Sequence, residues 1–172
     1  MASGVARCGA VVGHYRGRDL VCDFPLGHQE STPCHVPVKD IKAINRRVIE
    51  QFRAGGPVDD FDRDNLILLT TVGSRSGQRR TSPMAFYEDG NRQLVVANNQ
   101  GGAKHPNWYV NLIADQRVTV EVGGQSYSAV AVELQGEERE QVWNRLRIVN
   151  PYLTECQARI SRTLPIIALT RV

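Results

Sequence analysis

Residues 65–87, NLILLTTVGSRSGQRRTSPMAFY, decide how the rest of the chain is read. Asn65–Val72 is an apolar, β-branched run of the length and composition of a buried strand. Gly73-Ser74-Arg75-Ser76-Gly77 is built from turn residues, and Arg80–Tyr87 resumes the extended texture. The turn Glu88-Asp89-Gly90-Asn91 then separates that run from Gln93–Asn98, the signal of a hairpin. Downstream, Arg117–Val122 and Ser126–Glu133 alternate around Gly123-Gly124-Gln125, a second hairpin, and Leu164–Leu169 (LPIIAL) closes as a strand. Apolar residues at Ile41, Ile44, Val48, Ile49 and Phe52 have helical spacing, ended by Gly55-Gly56. A short helix is expected from Pro106, and Gly136–Val149 reads as a helix with Val142, Leu146 and Val149 on one face. About six strands joined by hairpins, with three or four short helices, make a mainly β (α+β), antiparallel, barrel-like fold.

The chain is 172 residues long, 41% hydrophobic and 23% charged, enough to bury a core. Three parts follow from its texture. Residues 1–38 form a Cys/His-rich module without sustained periodicity, 39–64 a helix and acidic linker, and 65–172 the β domain. No apolar run approaches the ~20 residues of a membrane helix, and the N-terminal apolar stretch is broken by His14 and Arg16, so a cytoplasmic protein is expected.

The net charge is +3, and it is localised. Between Asn65 and Val110 stand five basic residues (Arg75, Arg79, Arg80, Arg92, Lys104) against two acidic ones (Glu88, Asp89), while the flanking segments each cancel. This pattern points to a local anion site. A nucleic-acid partner is not expected, because there is no broad basic stripe and aromatics are only 6%.

The segment Gly73–Arg80 combines two glycines, two hydroxyls and three guanidiniums, which suits phosphate or carboxylate. The same residues would equally make an ordinary solvated hairpin tip. The block Asn98–Leu112 gathers amides, Lys104, His105, Trp108 and Tyr109 around the start of a helix, a second anion-friendly feature. Trp108 and Leu112, four apart, also read as a core stripe.

Taken together, LLTTVGSRSGQRRTSP, GGAKHPNWYVNL and SRTLPIIAL resemble the deazaflavin-dependent nitroreductase family of actinobacteria, which uses coenzyme F420. The resemblance runs from about Asn65 to the C-terminus and implies a six-stranded antiparallel split β-barrel, related to FMN-binding and pyridoxamine-phosphate-oxidase-like barrels. It implies that Ser74, Arg75, Ser76 and Arg80 hold the cofactor's phosphate and oligoglutamate tail. Thr81, Ser82, Pro83 and Met84 would offer backbone to the deazaflavin ring, with Val96, Ala97, Asn98 and Asn99 as a strand edge beside it. Asn107, Trp108, Tyr109 and Asn111 would meet the phosphate end. On the acceptor side the pattern departs: tyrosines that nitroimidazole reduction uses are replaced here by Ala85, Asn150, Leu153 and Cys156. The implied activity is hydride transfer from reduced F420 to a small organic acceptor (quinone, enone or nitro compound), with Tyr109, Tyr152 and Cys156 as substrate-side candidates. Cys156 also reads as a buried, inert thiol. An FMN-dependent oxidoreductase on the same barrel and a non-catalytic deazaflavin or lipid binder are the alternatives, and a homodimer is left open.

The N-terminal module lies outside that resemblance. Cys8, Cys22, His28, Cys34 and His35 crowd into a segment with little apolar content, so four of these five are candidate ligands for a structural Zn²⁺. No C-x2-C pair is present, and a loose leader with incidental cysteines is the competing reading.

Overall fold

In the computed structural model the described residues are Val11–Tyr15 and Arg18–Val21 (as backbone), 41–59 and 61–172. The chain divides into two units, Met1–Ile41 and Lys42–Val172. In the first, strands β1 (Val11–Tyr15) and β2 (Arg18–Val21) form an antiparallel hairpin with Val11 opposite Val21.

The second unit is built on one seven-stranded antiparallel sheet. Its strands are β3 (Leu66–Val72), β4 (Arg79–Ala85), β5 (Tyr87–Asp89), β6 (Arg92–Val96), β7 (Arg117–Val122), β8 (Gln125–Glu133) and β9 (Ile166–Arg171). Their spatial order is β4-β3-β7-β8-β9-β6-β5. The two edges, β4 and β5, are consecutive in the chain with only Phe86 between them. A flat sheet would hold its outer strands six spacings, about 29 Å, apart. Two peptide steps span less than about 8 Å. The sheet therefore rolls round on itself, and Phe86 joins its edges, buried and donating its N–H to Asn65 O (3.0 Å). This is the expected split barrel, with two revisions: the sheet has seven strands where six were expected, and one pairing differs. The run from Arg80 to Tyr87 does not form a hairpin with 93–98; only β5 pairs with β6, while β4 pairs with β3.

Alternation along the strands sorts the apolar residues into separate layers. Ile67 and Leu69 of β3, Val95 of β6 and Ile167 and Leu169 of β9 face the barrel interior with Phe86 and Leu112. Leu66 and Leu68 face the other way, against Val48 and Phe52 of helix α1 (Ile41–Ala54). Leu94, Ile166 and Ala168 pack under helices α3 (Gly136–Val149) and α4 (Tyr152–Ala158) through Val142, Leu146 and Leu153. Strands covered on both faces need continuous apolar sequence, which is why β3 and β9 read as unbroken runs. Val149, expected on the apolar face of α3, is 71% exposed at the helix's last residue, and only Val142 and Leu146 are buried.

The Gly123-Gly124 turn joins β7 to β8 with φ of 55° and 77°, the double left-handed geometry that two-residue hairpins favour. Helix α2 (Asn107–Ala114) starts after Pro106 and lays Trp108, Tyr109 and Leu112 on the interior cluster. Pro83 stands in the middle of β4, a place only an edge strand tolerates, since proline has no N–H for a second ladder.

An ion-pair network ties α3 to the β5–β6 turn. Arg92 pairs with Asp89 (2.7 Å) and Glu138 (2.6 Å), and Arg145 reaches the other oxygen of Asp89 (2.8 Å). Hydrogen bonding from Arg145 and then Arg92 holds the Asp89 carboxyl below its ordinary range, against the opposing effect of burial. A depressed folded-state value means the stabilisation is complete above about pH 4, the unfolded value, and fades as pH falls through the lower folded one. Urea midpoints measured from pH 6 downward should therefore decline more steeply below about pH 4 in the native protein than in Asp89→Asn.

Candidate functional site

The turn after β3 is drawn tight by its own backbone. Gly73 donates to Gln78 O and Gly77 donates to Gly73 O, both at 2.8 Å. A Cβ on Gly73 would sit 2.6 Å from Ser76 Oγ and 3.3 Å from Gln78 O, so a side chain there would force Ser76 to turn away. The turn is anchored to α2 by one buried side chain. Asn111 accepts from Ser74 N–H through Oδ1 (3.1 Å) and donates through Nδ2 to Thr71 Oγ1 (3.0 Å). Two expected site residues, Ser74 and Asn111, are thus in direct contact, 37 residues apart in sequence.

Strand register divides the remaining β4 candidates. Arg80, Ser82 and Met84 pair with Thr71, Leu69 and Ile67, so their side chains share the face that carries the interior cluster and α2. Thr81 and Pro83 pair with Thr70 and Leu68 on the α1 face, where Thr81 and Thr70 hydroxyls are 2.8 Å apart. From those two residues only the backbone is available along the free edge. Arg80 is held by Gln78 Oε1 (2.7 Å), and Arg79 donates to Thr119 Oγ1 (2.8 Å).

The charge excess of the central segment resolves into used and unused cations. Arg92 is consumed by Asp89 and Glu138. Among the described residues Arg75, Arg79, Arg80 and Lys104 form no ion pair with a carboxylate. Four exposed cations remain on or near the Gly73 turn and the start of α2.

The second block is a loop from Ala97 to Pro106 with unusual backbone. Asn99 (φ 45°), Gln100 (φ 53°) and Gly101 (φ 77°) are successive left-handed residues. Asn99 Nδ2 closes the loop on Lys104 O (2.8 Å), and a Cβ on Gly102 would meet that nitrogen at 2.8 Å. Ala97 is buried, and Val96 faces α3 and α4 rather than the barrel interior. Asn98 reaches toward Cys156 Sγ at 4.0 Å, which links the loop to α4. Sequence reasoning missed Arg162, whose guanidinium contacts this loop throughout. The only sequence signal was its place in the SRTLPIIAL run.

The substrate-side candidates are engaged to different degrees. Cys156 is fully buried, and burial pushes its thiol up, so it stays protonated and inert. Tyr109 stacks on His105 (4.6 Å between rings) and donates its hydroxyl to Glu133 Oε2 (2.8 Å). Burial and that carboxylate push the Tyr109 phenol up to about 12. Tyr152 is pushed up as well, chiefly by burial and then by Cys156, so it too keeps its proton. The candidate zinc ligands Cys8, Cys22, His28, Cys34 and His35 all lie outside the described residues. Among the described residues no helix is long and apolar enough to cross a membrane.

Against known proteins, residues 44–171 match the model of the F420H(2)-dependent quinone reductase family. The chain belongs to that family. Membership places it among F420-dependent reductases and agrees with the resemblance read from the two sequence blocks. An F420H(2)-dependent quinone reductase of Mycobacterium tuberculosis (strain ATCC 25618 / H37Rv) is 32% identical over 108 residues, 61% of this chain and 72% of the relative. The solved F420-H2 dependent reductase FDR-A is 34% identical, with a TM-score of 0.56, covering 61% of this chain and 93% of that one. A further solved chain, described as a domain-swapped dimer, is 32% identical with a TM-score of 0.59, covering 77% and 98%.

Asn111 is the joint between the Gly73 turn and α2. Asn111→Ala should cost about 1–3 kcal/mol, since Ser74 N–H and the Thr71 hydroxyl lose their partner together. Urea denaturation of the two proteins at neutral pH measures it.

Proposed function

We propose that this protein binds reduced coenzyme F420 across the Gly73 turn and the start of α2 and reduces a quinone-like acceptor. The supporting observation is the set of cations without carboxylate partners, Arg75 and Arg80 at a turn that Asn111 fixes to α2 and Lys104 ahead of that helix. The F420 phosphate and oligoglutamate tail are polyanionic, and these residues are the donors of matching charge. Ser74, Ser76 and Asn107 add neutral donors at the same end. Arg80, Ser82 and Met84 line the α2 face of β4, while the free edge of that strand presents backbone beside them. Asn98 and Asn99 would offer amides to the ligand, and Trp108 and Tyr109, packed on the interior cluster, would form a floor.

When bound, the reduced deazaflavin supplies a hydride, two electrons in one step. The chain's task is then placement and charge. Guanidiniums at the turn hold the anionic tail, and the Asn111 joint sets their distance from α2. Tyr109 is locked by Glu133, so it shapes the floor without donating a proton. Tyr152, protonated and half-buried on α4, is the phenol on the acceptor side. An apolar, planar acceptor suits this lining better than a nitroimidazole, and enones share the shape.

Losing a charge-assisted hydrogen bond to phosphate or carboxylate costs about 1.5–3 kcal/mol, or roughly tenfold to a hundredfold in affinity. Arg75→Ala and Arg80→Ala should weaken F420 binding by that much while apo melting temperature stays nearly constant. Fluorescence titration with F420 and with FMN, followed by absorbance decay of the reduced cofactor on adding a quinone, tests the reading. Tight binding of FMN alone, or no decay with any quinone, would sink it.

For the N-terminal module the proposal is a structural zinc. The Val11–Val21 pairing sets the two chain ends of the hairpin side by side. Cys8 stands three residues before one end and Cys22 one residue after the other. His28, Cys34 and His35 supply the remaining ligands, and four of the five would close a tetrahedral site without an open position. Elemental analysis should find about one zinc per chain, lost in Cys22→Ser.

A further inference from the structure

Arg162 follows α4 and carries no carboxylate partner among the described residues, yet all its donors are used. Nε donates to Ala103 O (3.2 Å). Nη1 faces Ala97 O (3.2 Å) and His105 Nδ1 (3.4 Å). Nη2 faces Gly102 O (3.1 Å) and Lys104 O (3.2 Å). A guanidinium has five N–H bonds in a fixed plane, and here five acceptors from one loop meet them. A lysine, with three donors on a point charge, cannot reproduce that arrangement.

The contact has a geometric consequence for the loop. No peptide bond among the described residues is cis, so each carbonyl turned toward Arg162 sends the following N–H the opposite way. Those N–H groups belong to Asn98, Ala103, Lys104 and His105, and none donates to a backbone or side-chain acceptor among the described residues. The left-handed run at Asn99, Gln100 and Gly101 is held between this hub and the Asn99–Lys104 bond. Positive φ at Asn99 and Gln100 is costly without such support. His105 is fixed as well: the guanidinium beside it keeps Nδ1 an acceptor, and its ring stacks on Tyr109.

We infer that Arg162 is a positioning residue for cofactor binding: it winds the 97–105 loop carbonyl-side inward and so presents Asn98, Asn99 and the start of α2 to the ligand. This rests on the F420 site proposed above. The loop's outward amides and Asn side chains would then be ordered before the ligand arrives, so little ordering remains to oppose binding.

The test compares the native chain, Arg162→Lys and Arg162→Ala, with F420 titrated into each and amide hydrogen exchange followed across the chain. Arg162→Lys should bind F420 at least roughly tenfold more weakly. Its exchange should quicken within 97–105 and stay as in the native chain in β3, β7 and β8. At saturating cofactor the KM for the quinone should change less than the affinity for F420 does, since Arg162 contacts the 97–105 loop and not Tyr152. Guanidinium ion added to Arg162→Ala should recover part of the lost affinity; if that variant does not fold, Arg162→Lys decides alone. Native-like affinity in Arg162→Lys, or weaker binding with faster exchange spread over the whole sheet, would overturn the role. Failure of the native chain itself to bind F420 would instead overturn the proposed cofactor site, and this inference with it.

Discussion

Two strands that follow one another in the chain occupy opposite edges of the same sheet, and a single buried residue spans the gap between them. Phe86 can do this only if the sheet closes, and closure creates the interior that Ile67, Val95, Leu112 and Ile167 fill. Everything else is arranged by that closure. Strands β3 and β9 are apolar on both faces, since one face lines the interior and the other receives a helix. Helix α1 covers β3 from outside, and α3 with α4 cover β6 and β9. The outer edge of β4 pairs with no strand among the described residues, and the Gly73 turn meets α2 at one end of the barrel.

Charge is sorted along the same lines. Cations that the framework needs are bound up: Arg92 by Asp89 and Glu138, Arg53 by Glu121 (2.6 Å), Arg63 by the carbonyls of Phe52 and Gly56 at the end of α1. Cations at the turn and the start of α2 have no such partners. Exposed pairs contribute little to stability, so leaving these four single costs the fold almost nothing. It does leave a field that only an external anion can neutralise, and salt would screen it beyond about 8–10 Å.

Local features were legible from sequence, and relations between distant segments were not. The run NLILLTTV, the helical spacing from Ile41 to Phe52 and the Gly123-Gly124 hairpin are each specified by residues within one turn of each other. The break at Phe86 is not of that kind. Nothing in RRTSPMAFY says that its first seven residues pair with the strand before and the last with the strand after; closure decides it. Pro83 was the available hint, because a proline in mid-strand implies an edge. Arg162 was invisible for a related reason. Four of its five acceptors are main-chain carbonyls about sixty residues away, and carbonyls carry no sequence signature. The candidate site was legible as a pair of blocks, since their composition is local. That Asn111 joins them, and that Thr81 and Pro83 face away from Arg80 and Ser82, required the register.

Proline at position 83 also bears on how this protein lives among its own copies. An open strand edge is a template on which a neighbour's strand can add, and unprotected edges polymerise. Pro83 deletes one donor from the middle of that template, so an incoming strand could not complete its ladder there. Arg79 and Arg80 place like charges at one end of the same strand and repel an identical edge. The edge can thus stay bare over the protein's lifetime without seeding fibres, a safeguard that a covering helix would have provided only by closing off the surface.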